Sequence, residues 1–97
     1  MKQPAVYIMA SRKNGTFYTG VTSVLVQRAW QHRENAVQGF TARYGCHRLV
    51  WFEMHETMES AILREKQIKG GSRAKKIALI EALNPEWRDL YPEIGQL

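Results

Sequence analysis

Ninety-seven residues, 44% apolar and 24% charged, have the size and composition of one globular domain and exclude a disordered chain or a repeat array. Fourteen Lys and Arg against nine Asp and Glu leave a net charge of +5, which favours a polyanionic partner. Met1-Lys2-Gln3-Pro4 leads straight into a strand-like segment, with no apolar stretch long enough for a signal peptide or membrane span. The lone Cys46 has no internal disulfide partner, so a cytoplasmic setting is expected.

The first apolar run, Pro4 to Ala10, carries Tyr7 at its centre, and a second β-prone run, Thr16 to Val21, carries Tyr18. Asn14-Gly15 between them is a hairpin signal, because both residue types tolerate positive φ. With Asn14 and Gly15 as the loop, Lys13 faces Thr16 and Ser11 faces Tyr18, so odd positions of the first strand share a face with even positions of the second. Tyr7 and Tyr18 then point to the same side, a parity that a four-residue loop preserves and a three-residue loop breaks. Thr22 and Ser23 offer N-cap hydroxyls for a helix from Val24 to about Val37, stopped by Gly39. Arg28 and His32, four apart, share a face of that helix.

Phe40 to His47 reads as an irregular connection, and Arg48 to Glu53 as a central strand buried on both faces. Thr57 caps a second helix ending near Lys69, with Met58, Ala61, Ile62 and Ile68 as its inner stripe and Glu65 inside that stripe. A carboxylate facing a core needs a pair or a cation. Gly70-Gly71 ends this helix, and Ser72 caps a third whose inner stripe is Ile77, Ile80 and Leu83, continued by Asn84 ahead of Pro85. Trp87 and Leu90 lie back over the core. The expected order β-β-α-β-α-α is that of a small α+β domain spanning 1–97, its core at about 4–91, with a three-stranded, mainly antiparallel sheet flanked by helices.

Glu65 is suited to hold Mg²⁺, which needs as little as one carboxylate beside waters and substrate phosphate; a salt bridge to a nearby lysine or arginine is the other reading. Arg28 either neutralises charge on a phosphoryl group or lies on a solvated helix face. His32 suits proton transfer or phosphate binding. Tyr7 and Tyr18 are core aromatics unless a cation such as Arg28 lowers the phenol pKa enough for base catalysis. Five cations, Lys66, Lys69, Arg73, Lys75 and Lys76, straddle Gly70-Gly71 and are natural contacts to backbone phosphates. Cys46-His47 lacks partners at zinc spacing, and the P-loop spacing is absent.

Val6-Tyr7-Ile8 and Tyr18-Thr19-Gly20, then Arg28, His32, Arg64 to Lys69 and Asn84 to Trp87, form an ordered set that resembles the GIY-YIG nuclease superfamily. The likeness runs from about Pro4 to Tyr91. It is nearest to the small bacterial predicted endonucleases with a URI-type domain, which are similar to the N-terminal nuclease domain of the bacterial excinuclease. The resemblance implies Mg²⁺- or Mn²⁺-dependent hydrolysis of DNA phosphodiesters, with a place in DNA repair. In this sequence Glu65 would hold the metal, and Tyr18, or failing that Tyr7, would help deprotonate the attacking water. Arg28 would stabilise developing charge, His32 would assist with phosphate or proton transfer, and Asn84 would support the site. Ala5 and Thr19 replace the usual glycine and isoleucine, and Val21-Thr22 stand where the excinuclease-like branch can carry a lysine, which places more weight on His32. With no second domain to read bases, strand junctions, flaps or damage are the expected cues, and RNA stays open as a substrate. A non-catalytic nucleic-acid-binding module, or a subunit active only within a repair complex, are the alternatives.

Overall fold

A computed structural model describes residues 3–34 and 39–95, apart from the side chains of Phe40 and Thr41. Its elements are β1 (Ala5–Ala10), β2 (Phe17–Thr22), α1 (Leu25–Arg33), α2 (Phe40–Arg43), β3 (Arg48–Met54), α3 (Met58–Lys69), α4 (Arg73–Leu83) and α5 (Tyr91–Ile94). The three strands form an antiparallel sheet in the order β2-β1-β3. The expected α+β class holds, with two four-residue helices, α2 and α5, that are too short to leave a periodic signal.

The β1–β2 hairpin keeps the expected parity with a different register. Met9 pairs with Tyr18 and Ala10 with Phe17, and Ser11 N–H bonds the Thr16 carbonyl at 2.9 Å, so Arg12 to Gly15 form the loop. Asn14 takes the left-handed conformation (φ 59°), whereas Gly15 is needed for space: a Cβ there would stand 2.4 Å from Ser11 Oγ. Tyr7 and Tyr18 share one face with Met9, Leu25, Ala29, Leu49 and Ile94. Val6, Ile8, Trp51, Ala61, Ile80 and Trp87 fill the other.

The wholly buried central strand is β1, not β3 as the sequence suggests. β3 is an edge strand with a bulge: Ile8 pairs with Trp51 and Met9 with Leu49, which leaves Val50 as the extra residue and turns both Val50 and Trp51 toward the Trp87 core. Its outer edge is covered by the tail. Leu49 N–H donates to Asp89 Oδ1 (3.1 Å), Leu90 N–H to the Leu49 carbonyl (2.7 Å), and Asn84 Nδ2 to the Val50 carbonyl (3.1 Å). Unpaired edge groups that would otherwise invite another strand are thereby satisfied. Trp87 and Leu90 are buried as expected, Trp87 with its indole N–H on Glu81 Oε2 at 2.9 Å.

Among the helices, α1 ends at Arg33, with Glu34 as its C-cap, short of the expected Val37, which lies outside the described residues; Gly39 instead precedes α2. Val24, with no side-chain cap, is the N-cap, while Thr22 Oγ1 accepts from Val24 N–H at 3.0 Å. Thr57 and Ser72 cap α3 and α4 as their sequence positions indicate, each accepting from the backbone N–H three residues on. Leu83 is exposed, because α4 ends there and Leu79, with Ile77, packs on the core instead.

Asn84 is the C-cap of α4, and its amide is fully engaged: Nδ2 also donates to the Arg88 carbonyl (2.8 Å), and Oδ1 accepts from Arg88 N–H (3.2 Å). Asn84→Ala would strip partners from three backbone groups at once. The expected cost is about 3 kcal/mol, read as a fall in Tm of more than about 10 °C in thermal unfolding.

Candidate active site

The site grows from Tyr7. β1 holds its ring on the sheet face that α1 covers, and the residue opposite it on β2 is Gly20, whose missing side chain leaves room for the phenol. From α1, one helical turn beyond Arg28, His32 turns inward and is 6% exposed. The Tyr7 hydroxyl and His32 Nε2 share a hydrogen bond of 3.0 Å. Tyr18 completes a three-ring cluster, its centroid 6.5 Å from Tyr7 and 6.0 Å from His32, while Tyr7 and His32 lie 5.6 Å apart. His32 is held from behind as well, since its carbonyl accepts from His47 Nδ1 at 3.0 Å.

Charge enters this cluster from two sides. Arg28 is half-buried, and among the described residues its guanidinium makes no ion pair, yet its field reaches both Tyr7 and His32. From α3, Glu65 also acts on Tyr7, and its side chain is only 16% exposed. Lys69, one turn further, pairs with Glu65 Oε2 at 3.4 Å and sets its ammonium 5.6 Å from the Tyr18 ring centroid. Of the two roles expected for Glu65, the salt bridge is present, to Lys69, on a carboxylate whose charge acts on Tyr7.

Burial pushes the Tyr7 phenol well above its ordinary range; Tyr18 and Glu65 add to this, and Arg28 opposes it. Tyr7 therefore stays protonated. Burial, and after it the positive Arg28, hold the His32 pKa down to about 4, so the imidazole is neutral. The unfolded chain takes up this proton near pH ~6.5. Between those values the unfolded state binds more protons. The stability tied to neutral His32 is therefore full above about pH 6.5 and is lost as pH falls toward 4. Urea unfolding at pH 7.5 and 4.5 is expected to show about 2–3 kcal/mol more acid destabilisation in the wild type than in His32→Gln.

The remaining assignments separate. Asn84 belongs to the covered edge of β3, in reach of Val50 and Arg88, and is not brought to the Tyr7 cluster; any support it gives the site is through the sheet. The five cations do not make one patch. Lys69 turns into the site. Arg73 donates to the Asn14 and Gly15 carbonyls (3.1 and 2.9 Å) and stacks its guanidinium 4.7 Å from the Phe17 centroid, pinning the hairpin loop to α4. Lys75 and Lys76 line a groove of about 390 Å³ between α3 and α4 with Arg64, Gln67, Gly70 and Gly71. Lys66 is exposed. The sequence marks Lys69 as a phosphate contact by its place in a cationic run, although its spacing of four from Glu65 is the signal for an ion pair. His47, the group behind His32, carries no local signal of that role.

Among the described residues no three His, Cys, Asp or Glu side chains gather to cage a metal, and the Cys46 thiol is buried with Sγ on the Thr16 carbonyl. No helix there is long and apolar enough to cross a membrane.

A GIY-type strand and a YIG-type strand side by side, with an arginine, a histidine and a glutamate brought to their tyrosines, define a GIY-YIG catalytic domain, and the model of that domain matches residues 3–78. The chain belongs to the GIY-YIG family, a nuclease superfamily. It is 34% identical over 80 residues to a UPF0213 protein of Staphylococcus saprophyticus, covering 82% of this chain and 96% of that one. It is 35% identical over 90 residues to a UPF0213 protein of Clostridium perfringens, covering 93% and 96%. The solution structure of a UPF0213 protein from Bacillus halodurans has the same fold, with TM-score 0.56, 29% identity, and coverage of 92% of this chain and 93% of that one.

Proposed function

We propose that the chain is a divalent-metal-dependent endonuclease that hydrolyses DNA phosphodiester bonds with low sequence specificity, directed by strand structure or damage. The observation that carries this reading is the convergence of Glu65 and Arg28 on the Tyr7–His32 pair beside Tyr18. Phosphate chemistry asks for this combination: a guanidinium for the developing charge, a carboxylate for a metal ion and titratable groups for the water proton.

One carboxylate with few protein competitors suits Mg²⁺ or Mn²⁺, which keep several waters and take further oxygens from the substrate phosphate; an all-protein cage is not required. Glu65 would hold that ion, and when bound it would polarise the phosphoryl oxygens. Arg28 engages the phosphate bidentately. The incoming negative charge offsets the guanidinium's effect on His32 and so raises the basicity of the imidazole when substrate arrives. Tyr7, kept protonated by burial, serves as a hydrogen-bonding partner that orients His32, which leaves Tyr18 to help deprotonate the water. Lys66, and Lys75 and Lys76 in the α3–α4 groove, would contact backbone phosphates. Asn84 and Arg73 would support the frame.

The test is incubation of supercoiled plasmid and branched oligonucleotides with the protein and Mg²⁺ or Mn²⁺. Cutting that stops with EDTA, and is absent from identically purified, folded Arg28→Ala, is the expected result. Binding without cutting under all metals would sink the catalytic reading and leave a nucleic-acid-binding module.

A further inference from the structure

Glu65 and Lys69 raise a question that the nuclease reading leaves open. The Glu65 side chain is 16% exposed and that of Lys69 48%, and the carboxylate and ammonium lie 3.4 Å apart. Among the described residues Lys69 is the only ion-pair partner of Glu65. The ammonium also sits 5.6 Å from the Tyr18 centroid, within cation–π reach. One ammonium thus pairs with the carboxylate and lies within reach of the Tyr18 ring.

We infer that Lys69 is a resident cation that neutralises Glu65 until a divalent ion displaces it, so that metal binding requires the lysine to swing out. The inference rests on the reading of Glu65 as the metal-holding group. A largely buried carboxylate is costly without a counter-charge, which explains why the lysine is held. An ammonium and a divalent cation on one carboxylate repel at close range, which explains why the two exclude each other. The long, half-exposed side chain gives Lys69 a route into solvent, or onto a substrate phosphate, without moving α3. The same residue therefore sets a metal threshold and, once released, adds a positive charge beside the scissile group.

The consequence is a lowered apparent affinity. A ligand that binds only the fraction of molecules with a free site has its dissociation constant raised by the inverse of that fraction. If Lys69 covers Glu65 in about nine molecules of ten, removing its charge tightens metal binding about tenfold.

Mn²⁺ binding, followed by calorimetry or by the loss of the free-ion paramagnetic resonance signal, tests this without reference to cleavage. Lys69→Met keeps the apolar stem against Tyr18 and removes the charge; Lys69→Arg retains a cation there. Lys66→Met removes the same charge from the adjoining face of α3. Lys69→Met is expected to bind Mn²⁺ about tenfold more tightly than wild type. Lys69→Arg should match wild type, Lys66→Met should shift affinity less than about twofold, and Glu65→Gln should abolish the site. Equal affinity in wild type and Lys69→Met would overturn the resident-cation role while leaving Glu65 as the metal site. If neither protein differs from Glu65→Gln, the metal reading and the inference built on it both fall.

Discussion

Exchanging Glu65 for glutamine is expected to lower metal-dependent cleavage at least about a thousandfold, the factor produced by about 4 kcal/mol of lost transition-state stabilisation. Glutamine keeps the shape of the side chain and loses only its charge and its second strong acceptor. The fold should barely respond. A Glu65–Lys69 pair formed in about nine molecules of ten is worth about 1.4 kcal/mol, and glutamine offsets this by removing the desolvation cost of a carboxylate on a side chain that is only 16% exposed. Tm is therefore expected within about 3 °C of wild type. DNA binding should hold or tighten slightly, because a negative charge leaves a surface that meets phosphates while Lys69 loses its partner. Cleavage rates, thermal unfolding and a binding titration on one preparation separate these effects. A glutamine variant that binds and still cuts within tenfold of wild type would remove Glu65 from the chemistry.

The sequence carries the parts of the fold that depend on period and on local hydrogen bonds. Tyr7 and Tyr18 fall on one face because side chains alternate along both strands, and that parity survives a two-residue change in register. Thr57 and Ser72 are legible as caps because the backbone N–H each accepts from lies three residues away. What depends on distant neighbours is not. β3 reads as a central strand because Leu49 to Phe52 are four large apolar residues in a row, yet its second flank is covered by Asn84, Asp89 and Leu90 rather than by a strand, and its bulge sends consecutive residues to one core. The cationic run around Gly70-Gly71 reads as one surface. Helical geometry instead sends Lys69 beside Tyr18, Arg73 onto the hairpin loop, and Lys75 and Lys76 into the groove. For the site, the residue types are legible and their partners are not: Tyr7 with His32 is a contact across 25 residues, set by how α1 packs on β1.

Gly20→Ala is expected to lower cleavage at least about a hundredfold and to destabilise the fold by about 1–3 kcal/mol, the usual range for overpacking a filled interior. The cause is steric. Gly20 lies opposite Tyr7 in the sheet, and a Cβ added there would stand 2.5 Å from the Tyr7 hydroxyl oxygen, 2.6 Å from Tyr7 Cζ and 3.0 Å from Tyr18 Cε2. The backbone at Gly20 is not left-handed, so alanine suits its conformation and the whole penalty lies in the contact. A rigid phenol that is 3% exposed and bonded to His32 has nowhere to retreat except away from that imidazole. Displacing it breaks the hydrogen bond that orients His32 and crowds Tyr18, so one methyl disturbs three of the proposed catalytic groups. Near-UV circular dichroism should report the altered tyrosine environment in a protein whose far-UV spectrum is unchanged. Gly95→Ala is the matching control: its Cβ would come no closer than 3.9 Å to the Pro92 carbonyl, so stability and cutting should stay near wild type. If Gly20→Ala instead cuts DNA within about threefold of wild type while folded, the Tyr7–His32 contact is not part of the machinery, and Tyr7 reverts to a core aromatic.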